Sequence, residues 1–78
     1  MNNIEKLKKA FNEALEIPIE NIDDNLSYGT ENWDSVAHLA LVASIETEFD
    51  IMFTSTDVID MSSFNKAKEI LEKYDIHF

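Results

Sequence analysis

The sequence predicts an all-α fold: a small four-helix bundle with a long first loop and a short third helix, all in one domain over residues 1–78. Three observations lead there. Apolar residues recur at helical spacing in separate stretches of the chain. A single glycine and a single proline among 78 residues leave few tight turns. Cap-forming Asn, Asp, Ser and Thr residues stand where each periodic stretch begins. A hydrophobic fraction of 45% suffices for one core, and helices joined this way pack as a bundle.

In the first stretch, Ile4, Leu7, Phe11, Ala14 and Leu15 recur on one face, with Lys6, Lys8, Lys9 and Glu13 between them. Asn2 or Asn3 can cap this helix. It should end near Glu16, because the residue before Pro18 disfavours the helical region. Residues 17–33 form a connection long enough to suggest function. Ile17, Ile19, Ile22 and Leu26 are expected to pin it to the core, and Asp23-Asp24-Asn25 can support a short helical turn. The second helix spans about Ser35 to Phe49. Leu39, Val42, Ile45 and Phe49 form its main apolar stripe; Val36, Ala40 and Ala43 form a weaker one, so the helix suits burial on one side and docking on the other. Thr54-Ser55-Thr56 signals a turn and cap before a third helix, about Thr56 to Asp60, with Val58, Ile59 and Met61 near the core. Ser62 or Ser63 then caps a fourth helix carrying Phe64, Ala67, Ile70, Leu71 and Tyr74. The tail Asp75-Ile76-His77-Phe78 is expected to fray.

Charge narrows the function classes. Sixteen acids face six bases, all lysine, for a formal net charge of -10. Nucleic acid binding needs a basic face that displaces counterions, so it is not expected. Nor is membrane insertion, since no run approaches the length of a span. The expected partners are proteins with basic patches, approached by long-range steering. There are no cysteines, which removes disulfides and thiolate metal sites and fits a reducing compartment. The chain is expected to be cytoplasmic and monomeric.

Ser35 is the chief candidate residue. It lies in Asn32-Trp33-Asp34-Ser35-Val36, where a polar loop yields to an apolar-periodic helix. A hydroxyl on the first turn of a helix faces solvent, and a phosphate attached there is favoured by backbone N–H groups and the helix dipole. The competing reading is an ordinary N-cap. Ser35 and His38 share a helix face at i, i+3. Hydrolysis would also need an oxyanion hole and a third group orienting the histidine, and no Gly-x-Ser-x-Gly elbow is present. His38 is therefore expected as a polar residue on the exposed rim, and no catalytic residue is assigned. Asp23, Asn25 and Ser27 have the odd-position spacing of a calcium loop. Tyr28 stands where the glycine is needed and Asp34 where a bidentate Glu is usual, so no metal site is assigned.

Asp34-Ser35-Val36 resembles the Asp-Ser-Leu signature of the acyl carrier protein family. The resemblance continues through Leu39 to Ile51, which is similar to the family's second helix and its Glu-x-x-Phe-Gly/Asp-Ile ending. Thr56-Asp57-Val58-Ile59 and Ser62-Ser63-Phe64 are similar to the third helix and the start of the fourth. The resemblance implies an acyl carrier protein-like fold and a 4'-phosphopantetheine group on Ser35, taken from coenzyme A by a phosphopantetheinyl transferase. It implies a carrier that catalyses nothing itself. Its cargo is held as a thioester and exchanged with acyl- or aminoacyl-loading and transferring enzymes.

Carriers of primary fatty acid synthesis usually have Gly-x-Asp-Ser, where Asn32-Trp33 stands here. Trp-Asp-Ser looks more like free-standing carriers of specialised pathways. On the same resemblance, the partner face is assigned to Asp34, Val36, Ala40, Ala43, Glu46, Glu48 and Asp57. A cargo chain is expected between the second and third helices, against Leu39, Val42, Ile59 and Met61. The alternatives are an aminoacyl or peptidyl carrier of the same fold, and an acidic helical adaptor whose Ser35 is only a cap.

Overall fold

A computed structural model describes residues 2–30 and 32–78. Among these residues the chain forms four α-helices: α1 (Asn3–Leu15), α2 (Ser35–Phe49), α3 (Ser55–Asp60) and α4 (Phe64–Glu72). Each start has a local cause. The Asn2 side chain accepts the Glu5 N–H at 2.9 Å, Asp34 that of Ala37 at 2.8 Å, Thr54 that of Asp57 at 3.1 Å and Ser63 that of Lys66 at 2.9 Å. These caps satisfy backbone donors that a helix start leaves free. α1 and α2 end on non-glycine residues in the left-handed region, Glu16 at φ 56 and Asp50 at φ 54. The Ile51 N–H closes back onto the Glu46 carbonyl at 3.1 Å, sealing the α2 terminus.

The core lies where α1 and α2 pack together and α4 closes over them. Phe11 is its centre: the rings of Trp33 and Phe64 meet it edge-on at 5.3 and 5.1 Å, an arrangement aromatic quadrupoles favour. Trp33 is 1% exposed, so the residue just before the Asp34 cap is an anchor of the interior.

The described part of the connection, residues 17–30 and 32–33, is held by its own bonds. A single 3₁₀ turn covers Ile19–Asn21. It lies one step before the expected turn at Asp23-Asp24-Asn25, which instead forms an aspartate-capped turn, the Asp23 carboxylate accepting the Asn25 N–H at 2.9 Å. Ile17, Ile22 and Leu26 are buried as anticipated, but Ile19 points outward at 48% exposure. An antiparallel bridge joins Ser27 to Ser63, with the Tyr28 N–H on the Ser62 carbonyl at 2.8 Å and the Phe64 N–H on that of Leu26 at 2.9 Å. The connection is thereby tied to the start of α4. Gly29, at φ 91, makes the turn before Trp33, a conformation that L side chains rarely adopt.

Three further expectations change. α2 buries Leu41, Val42 and Ile45, whereas Leu39 is 66% exposed. Ala37, Leu41, Ile45 and Phe49 lie four apart and run down one side, so the true stripe is rotated from the one expected. α3 begins at Ser55, capped by Thr54, and leaves Ile59 at 79% exposure. The tail returns to the body: Asn3 Nδ2 donates to the His77 carbonyl at 3.0 Å, and Phe78 meets the ring of Phe49 at 6.5 Å.

Candidate functional site

Ser35 is exposed and is the first residue of α2. The cap is not Ser35 but Asp34, whose extended backbone (φ -115, ψ -172) and carboxylate close the helix start. That separates the two readings of the hydroxyl. The capping position is already filled, and the Ser35 side chain stands beside it on the first turn of a fifteen-residue helix. The dipole of such a helix places partial positive charge at this end.

Behind this turn stands a chain of rings. Trp33 Nε1–H donates to His38 Nδ1 at 3.0 Å, and His38 Nε2 lies 2.7 Å from the Val58 carbonyl oxygen of α3. Tyr28 meets His38 edge-on at 5.7 Å and Trp33 at 6.2 Å. His38 is therefore half-buried and engaged on both nitrogens, not a free residue on the rim as the sequence suggested. A cleft of ≈ 290 Å³ opens beside it, lined by Tyr28, His38, Val58, Ile59, Met61 and Ser62. Of the four residues expected to line a cargo cavity, Ile59 and Met61 border this cleft. Val42 is turned into the core, and Leu39 faces solvent.

The assigned partner face divides in the same way. Asp34, Val36, Ala40 and Ala43 are exposed, Val36 at 77%. Ala40 and Ala43 line a separate groove of ≈ 510 Å³ between α1 and α2, with Lys9, Glu13 and Thr47. Glu46 is turned back: its carboxylate accepts the Phe53 N–H at 2.8 Å. Glu48 pairs with Lys9 at 3.4 Å.

Asp57 corrects the assignment outright, because it is buried, 4% exposed. Its two carboxylate oxygens take Lys73 Nζ and the Tyr74 hydroxyl, each at 2.6 Å. These bonds, Lys73's first and Tyr74's second, hold the Asp57 carboxyl below the ordinary carboxylate range. The Asp57 bond raises Lys73 and Tyr74 in turn. Asp57 is thus a clamp from α3 onto the end of α4. The sequence offered no local sign of it, since its partners lie 16 and 17 residues away.

Among the described residues, no group of His, Asp and Glu is arranged to hold a metal ion, and no helix is long and apolar enough to cross a membrane.

Comparison with known proteins agrees with this geometry. A family profile described as "Phosphopantetheine attachment site" matches residues 5–71. The acyl carrier protein of Buchnera aphidicola subsp. Schizaphis graminum (strain Sg) is similar, 35% identical over 69 residues that cover 86% of this chain and 87% of that protein. Such carriers are non-catalytic and work with a phosphopantetheinyl transferase and acyl-handling enzymes. The chain belongs to the phosphopantetheine-binding carrier protein family, whose prosthetic group is 4'-phosphopantetheine.

Proposed function

We propose that Ser35 is the attachment residue and that the chain is a cytoplasmic carrier of acyl groups in a specialised biosynthetic pathway. The observation that carries this reading is the exposed serine at the first position of α2, with its cap supplied by the neighbouring Asp34. The local chemistry fits the group. A phosphodiester on Ser35 would lie against the positive end of α2, and the cleft beside His38 offers apolar walls within one helical turn. When bound, the group supplies a terminal thiol that holds cargo as a thioester.

The chain's own residues do the rest. Asp34 fixes the turn, Trp33 anchors it to the core, and exposed Val36 and Leu39 flank the serine on α2 as apolar contact points. With Asp57 buried and Glu46 and Glu48 engaged, close contact with partners rests on these apolar residues. The net charge of -10 acts at longer range, steering partners with basic patches. The specialised pathway is supported by Asn32-Trp33 before Asp34-Ser35, and by Ala40 on the exposed side of α2, where the family often carries a glutamate.

Intact-mass analysis after incubation with coenzyme A, magnesium and a broad-specificity transferase tests the reading. A gain of one phosphopantetheine per chain is expected. A chain that stays unmodified while a control carrier is converted overturns it.

A further inference from the structure

An indole N–H can only donate, so Trp33 fixes His38 Nδ1 as an acceptor. In the neutral ring the proton then lies on Nε2, which donates to the Val58 carbonyl at 2.7 Å. That carbonyl is in the last turn of α3, where helix carbonyls lack intrahelical partners. α3 has six residues, too few to be stable alone. Side-chain hydrogen bonds tie it at two points, Asp57 to Lys73 and Tyr74 at the end of α4 and His38 from the first turn of α2, while Val58 packs against the core. Releasing His38 would remove a side-chain hydrogen bond from α2 to α3 and loosen α3 there, leaving it held by Asp57 and by the packing of Val58 and Met61.

From this geometry we infer that His38 is a specificity-determining latch. It joins α2 to α3 across the passage beside the attachment turn, confines cargo to the outer cleft and keeps long chains out of the interior. The inference rests on the reading that Ser35 bears the arm. The cleft beside the latch, ≈ 290 Å³, is bordered by the polar groups of Tyr28, His38 and Ser62 as well as by Val58, Ile59 and Met61. It suits a short acyl chain. A chain running deeper between α2 and α3, toward buried Val42, would have to break the His38–Val58 bond that spans them. His38 touches no reacting atom and acts through the position of α3.

Hydroxylamine reactivity of hexanoyl and dodecanoyl thioesters on the loaded protein reads the latch. In the wild type the two should react at equal rates. In His38→Ala the ratio of sheltered to exposed dodecanoyl should rise about fivefold, the population change that one net hydrogen bond is worth, so that this thioester reacts more slowly than hexanoyl. His38→Gln, whose amide can still donate to Val58, should restore near-equal rates. Should His38→Ala fail to fold, Trp33→Phe removes the donor that fixes the tautomer and should shield dodecanoyl partially.

Nitrogen-15 NMR on the unloaded wild type reads the latch without any cargo, and should find the His38 proton on Nε2. A proton on Nδ1, equal shielding of dodecanoyl in wild type and His38→Ala, or no shielding in a folded opening variant overturns the inference. A chain that accepts no arm overturns the carrier reading and the gating with it. A hydrogen-bonded, exchange-protected Nε2 proton on the unloaded protein shows separately whether the latch itself exists.

Discussion

Replacing Asp34 with alanine removes the cap on which the attachment turn depends. The wild-type carboxylate accepts the Ala37 N–H at 2.8 Å, and its charge lies at the positive end of α2. Loss of a capping side chain costs about 1 kcal/mol. Loss of the charge at a helix start costs about 0.5 kcal/mol more at low ionic strength. Asp34→Ala should therefore destabilise the fold by about 1.5 kcal/mol, and Asp34→Asn, which keeps a capping oxygen, by only about 0.5 kcal/mol. In a domain of this size each kcal/mol moves the melting temperature by about 4–8 °C. Total stability at this length is about 4–12 kcal/mol, so the alanine effect is a sizeable share of it. Thermal and urea unfolding followed by circular dichroism would measure both variants. Amide exchange at Ala37 and His38 should quicken in Asp34→Ala before exchange in α4 does. An asparagine variant as unstable as the alanine one, or an alanine variant as stable as the wild type, would refute the capping argument.

Other consequences can be checked alongside it. Asp57→Ala should cost about 2 kcal/mol at neutral pH, because Tyr74 loses its acceptor and Thr54–Asp57 its place on α4; exposed Lys73 adds little. The Lys73 and Tyr74 bonds hold the folded-state pKa of Asp57 below the ordinary carboxylate value. The charge-dependent part of the wild type's advantage should thus be complete above the unfolded value and be lost as pH falls through the folded one, and an advantage unchanged in strong acid would contradict this. Val36→Ser and Leu39→Ser, both at exposed positions, should leave stability within about 0.5 kcal/mol while raising the KM of the transferase; an unchanged KM would remove them from the contact face. With a net charge of -10, added magnesium should raise the melting temperature by relieving self-repulsion, and a flat or falling melting point would argue against that.

The sequence made legible whatever depends on near neighbours. The Asn2, Asp34, Thr54 and Ser63 caps each act on an N–H three residues on, so helix starts could be read within a residue. Ser35 stood out for the same reason. The orientation of α2 was not legible, because apolar residues run nearly all round it. Leu39 and Leu41 offer equally good stripes, and only packing against α1 chooses Leu41. Asp57 looked like a surface acid because nothing nearby pairs with it. His38 looked free because it gains its role from Trp33 five residues before and Val58 twenty after. The proximity of Trp33 to a histidine on the next helical turn was the one available clue to the ring chain behind the site.

The sharpest discrimination lies among the six serines, at 27, 35, 44, 55, 62 and 63. Fragment-ion mapping of the transferase-treated protein should place the whole phosphopantetheine on Ser35 and find none in Ser35→Ala. An adduct on any other serine, or one that survives the Ser35→Ala substitution, would contradict the assignment of that hydroxyl as the anchor.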